Sequence, residues 1–193
     1  MSEILYHFTS KYHLPLILKN GYLNVTESNL KEITKAELQI IKRGEIPRFN
    51  TDIKKFYKPV VWLTNSLISN NIGLGGTMNK SEIKFTLKGQ DHYEKWSTWS
   101  QKNNIKTHWF ETMKRGYNWD SWYICESVIP LTSDTVIKIE NTISGEILID
   151  IEAGISTYKC TVERARGIMP IPVYDEFIGR SGLKKGDIVE IAL

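Results

Sequence analysis

Three groups of residues in this chain have types and spacings suited to chemistry. The first is His7-Phe8-Thr9-Ser10, a histidine followed by two hydroxyls at the end of a short run of strand formers. Imidazole and hydroxyl groups donate and accept hydrogen bonds at neutral pH, which equips them to hold a sugar. The plain alternative is a strand histidine satisfied within the fold. The second is Glu126, in Trp122-Tyr123-Ile124-Cys125-Glu126-Ser127-Val128-Ile129. Strand alternation places it on one face with Trp122, Ile124 and Val128. A carboxyl in such an apolar row has a raised pKa unless it is paired or serves a site. Its plain alternative is an edge-strand glutamate reaching solvent or a lysine. The third is a stretch of 27 residues holding five of the six tryptophans, interleaved with Lys95, Lys102, Lys106, Lys114 and Arg115. Aromatic rings stack on bases and basic side chains follow phosphates, as single-stranded nucleic acid or a dinucleotide requires. Several tryptophans packed as a core is the other reading.

The elements that must position these groups follow from pattern. Ile4–Phe8 reads as a strand, and His13–Leu18 as a short helix with Ser10 as cap and Gly21 as stop. A second helix is expected over 28–42, with Leu30, Ile33, Leu38, Ile40 and Ile41 as its buried stripe and Gly44 and Pro47 ending it. Residues 48–58 read as a polar loop and Pro59–Thr64 as a strand. The segment 65–79, with Gly73, Gly75 and Gly76, is a long loop that lacks the Gly-Lys-Ser/Thr of a phosphate-binding loop. Strands are expected at Ile83–Leu87, Trp122–Ile129, Val136–Ile139, Ile147–Ile151 and Tyr158–Glu163, with a weakly helical stretch over 93–113. A turn at Gly182–Asp187 leads to a last strand, Ile188–Ile191. Early helices and many later strands make the class α+β.

Composition narrows the function classes. A chain of 193 residues with 41% hydrophobic and 24% charged residues is an ordinary globular sequence. Folding at this length buries roughly 70% of the unfolded surface, so neither disulfide nor metal is needed for a core. Cys125 and Cys160 form no ligand or disulfide pattern, and His7, His13, His92 and His108 show no metal spacing. There is no Gly-x-Ser-x-Gly elbow, and neither cysteine has a neighbouring base. The absence of an apolar run of about 18 residues and of a basic, apolar leader makes a soluble cytoplasmic protein the expectation. Net charge is only +3, yet residues 79–118 carry +4 and residues 119–154 carry −6. This asymmetry suits the approach of an anionic ligand, or reflects solvated faces.

The order strand-His-x-Thr-Ser, short helix, Gly21-Tyr22-Leu23, then a Trp62-Leu63-Thr64 strand resembles the ADP-ribosyltransferase-like fold, in its histidine-strand branch. The resemblance covers about residues 4–130. That branch includes diphtheria-toxin-like and poly-ADP-ribose enzymes, RNA 2′-phosphotransferases and DNA-modifying toxins. It implies split, curved antiparallel sheets with NAD in the cleft, and a motif spread over three strands that falls here on His7, Thr64 and Glu126. It also implies that Thr9 and Ser10 lie near the adenosine ribose and that Tyr22 or Trp62 faces the nicotinamide. Departure of nicotinamide leaves an oxocarbenium-like ribose carbon, which a fixed carboxylate such as Glu126 would stabilise. The chain departs from some branches: Ser127 follows Glu126 without a Gln/Glu-x-Glu pair, and no arginine lies near His7.

The tail has a second resemblance. Ile168-Met169-Pro170-Ile171-Pro172 followed by Gly182-Leu183-Lys184-Lys185-Gly186-Asp187 is similar to the swapped-hairpin DNA-binding regulators of the AbrB/MazE type. The spacer is about two residues longer than theirs, and residues 155–193 are nearly neutral. A plain β-hairpin closing the fold is the other reading. The expectation is therefore a core over 1–152 with a β-rich extension over 153–193. It would bind NAD as substrate and transfer ADP-ribose to nucleic acid or protein, or cleave NAD, as a bacterial or phage toxin or effector. The competing class is a non-catalytic nucleic-acid or nucleotide-binding module.

Overall fold

Ile4–Thr9 (β1) is a run of β-branched and aromatic residues, and it becomes the middle strand of the molecule. In the computed structural model, residues 3–26, 59–67, 79–103, 119–163 and 182–193 are described. The helix expected over 28–42, the loop over 48–58, residues 68–78 of the glycine loop, residues 104–113 of the tryptophan stretch and Ile168–Pro172 lie outside them.

The strands after β1 are β2 (Tyr22–Leu23), β3 (Val61–Thr64), β4 (Ile83–Lys88), β5 (Glu94–Lys95), β6 (Trp122–Cys125) and β7 (Ile129–Pro130). They continue with β8 (Val136–Asn141), β9 (Ile147–Asp150), β10 (Thr157–Thr161) and β11 (Ile188–Ala192). Two short helices, α1 (Leu14–Asn20) and α2 (Trp96–Lys102), and a 3-10 turn at Trp119–Ser121 complete the described elements. Seven strands form one sheet in the order β5-β6-β3-β1-β4-β8-β9, while β2-β7 and β10-β11 form two small sheets. Every pairing is antiparallel, so the class is α+β.

Register assigns the two faces of the large sheet. Leu5, Leu63, Phe85, Tyr123 and Ile139 share one face and are buried in the hydrophobic core. Leu14 and Leu18 of α1, Leu23 and Ile129 of the β2-β7 pair, and Val189 and Ile191 of β11 belong to the same core. The strict alternation in β11 turns Val189 and Ile191 inward, so the C-terminal hairpin helps close the core. The other face carries Tyr6, Trp62, Thr64, Trp122 and Ile124.

Two local expectations change. The N-cap position of α1 is His13, with no side-chain cap, whereas Ser10 accepts a hydrogen bond from the Tyr12 N–H in the turn before it. Pro15 at the start of the helix lacks an N–H to cap, which removes part of the need. Gly21 ends the helix as expected, at φ 71°, the left-handed conformation that a C-terminal stop requires. The strand expected over Trp122–Ile129 ends at Cys125, because Ile129–Pro130 leave the large sheet to pair with Tyr22–Leu23. The chain must bend between these two pairings.

Candidate functional site

The first cluster grows from β1. His7 shares the core face with Phe85, whose ring lies edge-on at 6.1 Å between centroids. Its Nδ1 lies 2.9 Å from the Trp62 carbonyl oxygen. A carbonyl only accepts, so Nδ1 carries the proton and donates, and Nε2 keeps the lone pair in the neutral ring. Burial pushes the His7 pKa down; the Trp62 carbonyl opposes that shift and the Lys80 ammonium adds to it. His13, where the chain enters α1, lies with Nδ1 3.3 Å from the Thr9 hydroxyl. Burial, then Lys80 and His7, lower its pKa to about 4. At neutral pH the cluster is therefore two uncharged imidazoles and a buried hydroxyl beside a lysine charge.

The second cluster lies across β3 and β6. Trp62 meets Trp96 at 5.1 Å and Trp122 at 5.7 Å, and Trp96 stacks on Trp99 at 5.7 Å. Trp96 and Trp99 are fully buried and Trp122 nearly so. These three are core, which removes them as an exposed stacking platform; Trp109 lies outside the described residues. The Trp99 indole N–H donates to Glu126 Oε1 at 2.8 Å. Glu126 sits past the end of β6 in the bend and is exposed, not buried in the apolar row that an unbroken strand would form. The Cys125 thiol donates to the Ser127 carbonyl at 3.2 Å, tying that bend together.

The expected site residues thus fall into two sets. His7, Thr9 and His13 come together on the core side, with Ser10 buried next in sequence. Trp62 and Glu126 meet the aromatic layer on the other side, both touching its members. His7 reaches across to β3 only through the Trp62 carbonyl. Following the ladders from Tyr6↔Thr64 and Val61↔Cys125 places Thr9 and Glu126 at the same end of the sheet, with β3 between them. Thr64 is at neither cluster. Its hydroxyl donates to Ser121 Oγ at 2.9 Å and accepts from the Ser66 N–H at 3.0 Å, so it shapes the end of β3. Tyr22 is half-buried in the small sheet, opposite Pro130.

Sequence reading did not single out His13 or Trp99. His13 lies four residues after Thr9, close enough for a turn to fold it back over the strand end. Trp96 and Trp99 are three apart, one helical face, which signals packing together. A groove of about 200 Å³ lies at the opposite end of β1, around Glu3 with Leu5, Gln90, Asp91, Tyr93 and Tyr123. None of the seven expected residues lines it. The Tyr123 hydroxyl donates to Glu3 there at 2.7 Å, and burial followed by that carboxylate raises its pKa to about 12.

Among the described residues no three His, Cys, Asp or Glu side chains gather to hold a metal ion, and no helix is long and apolar enough to cross a membrane. No protein-family model matches the chain, and neither a curated protein nor a solved structure does.

Proposed function

We propose that the protein binds NAD at the end of the large sheet where β1 and β6 finish, and transfers its ADP-ribose to an acceptor or to water. The observation that carries the reading is the presence, at one end of the sheet but on its two faces, of a neutral histidine of fixed tautomer and a carboxylate held by an indole. This donor set suits a nucleoside sugar. Nε2 of His7 accepts from a ribose hydroxyl, and Thr9 with Ser10 supplies hydroxyls beside it. Trp62 offers a half-buried ring to the nicotinamide, and Glu126 supplies a fixed negative charge where positive charge develops on the sugar. The Lys80 ammonium, near both imidazoles, complements a pyrophosphate.

The sheet itself supports this reading. β1 makes six register pairs with β4 but one with β3, its neighbour in the same sheet, so fewer backbone pairs hold the β1–β3 edge beside His7. Titration calorimetry with NAD, followed by an assay for released nicotinamide, tests the proposal. We expect binding and release by the wild type, with His7→Ala and Glu126→Gln each lowering turnover at least about 100-fold while remaining folded. Absence of NAD binding overturns the reading, and full turnover in Glu126→Gln overturns the site assignment.

A further inference from the structure

We infer that Trp99 is the positioning residue of Glu126: its indole N–H fixes one carboxylate oxygen so that the bend after β6 presents the group in one orientation. The inference rests on the proposed transferase reading. A glutamate in an exposed bend has free rotation about three bonds, and its charge then has no fixed direction. Among the described residues, two contacts restrict that freedom. Below it, the buried Cys125 thiol donates to the Ser127 carbonyl and ties the backbone on either side of Glu126. Beside it, the indole donates to Oε1 at 2.8 Å.

The donor is itself immobile. Trp99 is 1% exposed, stacked on Trp96, which in turn packs on Trp62. A group preorganised in this way loses nothing to rearrangement when charge develops opposite it. The neighbouring indole provides the contrast. The N–H of Trp96 is equally buried and has no hydrogen-bond partner among the described residues, so this layer does not satisfy every indole by default. Of the two stacked rings, one has an N–H that serves packing alone and the other is directed at the carboxylate.

Trp99→Phe keeps the ring and removes the donor. We expect kcat for nicotinamide release to fall about 10- to 100-fold, with little change in KM for NAD. Trp96→Phe, which removes the unpaired N–H, should leave kcat near wild type. The indole proton–nitrogen resonance of Trp99 should move on acidification of the wild type and stay still in Glu126→Gln. Wild-type kcat in Trp99→Phe, or a Trp99 resonance indifferent to Glu126, overturns the positioning role while leaving the transferase reading in place. A wild-type chain that neither binds NAD nor releases nicotinamide overturns both. Should Trp99→Phe fail to fold, the resonance comparison between wild type and Glu126→Gln decides alone.

Discussion

The two faces of the central sheet treat polar groups in opposite ways. On the core face His7 and His13 are half-buried beside the buried hydroxyls of Thr9 and Ser10, and desolvation lowers both imidazole pKa values so that they are neutral. On the other face Lys84, Glu140 and Lys138 are joined as ion pairs, and at the strand end the Glu126 carboxylate has been moved out of the aromatic layer to where a buried indole reaches it. Beside His7 and His13 burial removes charge, whereas the other face keeps charge, by ion pairing around Glu140 and by exposure at Glu126. A sugar-binding site needs uncharged acceptors, and bond cleavage at the sugar needs a fixed charge. Under the proposed transferase reading, the first face would supply the acceptors and the second the charge.

The largest expected effect tests whether both faces are truly packed. Trp96→Ala empties the aromatic layer and Phe85→Ala empties the core face beneath His7; each side chain is 0% exposed. Each substitution should cost about 3–5 kcal/mol of unfolding free energy, measured by chemical denaturation. A loss below about 1 kcal/mol for Trp96→Ala alone would mean that the tryptophans are a loose cover and not a second core.

The next effect sharpens the contrast in charge. The folded pKa of His13 is about 4, below the ordinary 6.5, so between those values the unfolded chain holds more protons than the folded one. Stability is then fully present above pH 6.5 and is lost as pH falls toward 4, by about 3 kcal/mol at most from this residue. His7 shifts in the same direction and steepens the fall. Denaturation curves collected across this range should show the loss, and His13→Asn should flatten much of it. A wild-type stability that is level from pH 6.5 to 4 would mean that neither imidazole is held neutral.

Much of this arrangement was legible in the chain and the rest was not, for identifiable reasons. Ile83, Phe85 and Leu87, and likewise Val189 and Ile191, occupy alternate positions of strands expected from the sequence, and alternation is a local property of a strand. The helix stop at Gly21 was equally local. The end of β6 at Cys125 was not, because Ile129 and Pro130 are strand-compatible residues whose partner, Tyr22–Leu23, lies more than a hundred residues earlier. That distant pairing bends the chain and carries Glu126 out of the apolar row. The donor to Glu126 was hidden for a similar reason. Spacing alone showed that Trp96 and Trp99 share a helical face, but only the docking of α2 on β6 selects which indole N–H meets a carboxylate. The tautomer of His7 likewise depends on a carbonyl 55 residues away.

The smallest effect separates the two causes of the neutral histidines. Lys80 lowers the pKa of both imidazoles, yet burial is the larger cause at each. Lys80 is exposed, so water and salt screen its field. Lys80→Ala should therefore raise the His13 pKa only modestly and leave it well below 6.5, as followed by imidazole resonances against pH. Raising the salt concentration in the wild type should produce a shift of the same sign. A return of His13 to 6.5 in Lys80→Ala would make the lysine, not burial, the cause of neutrality. The core face would then be as dependent on placed charge as the aromatic face, and the contrast between them would fail.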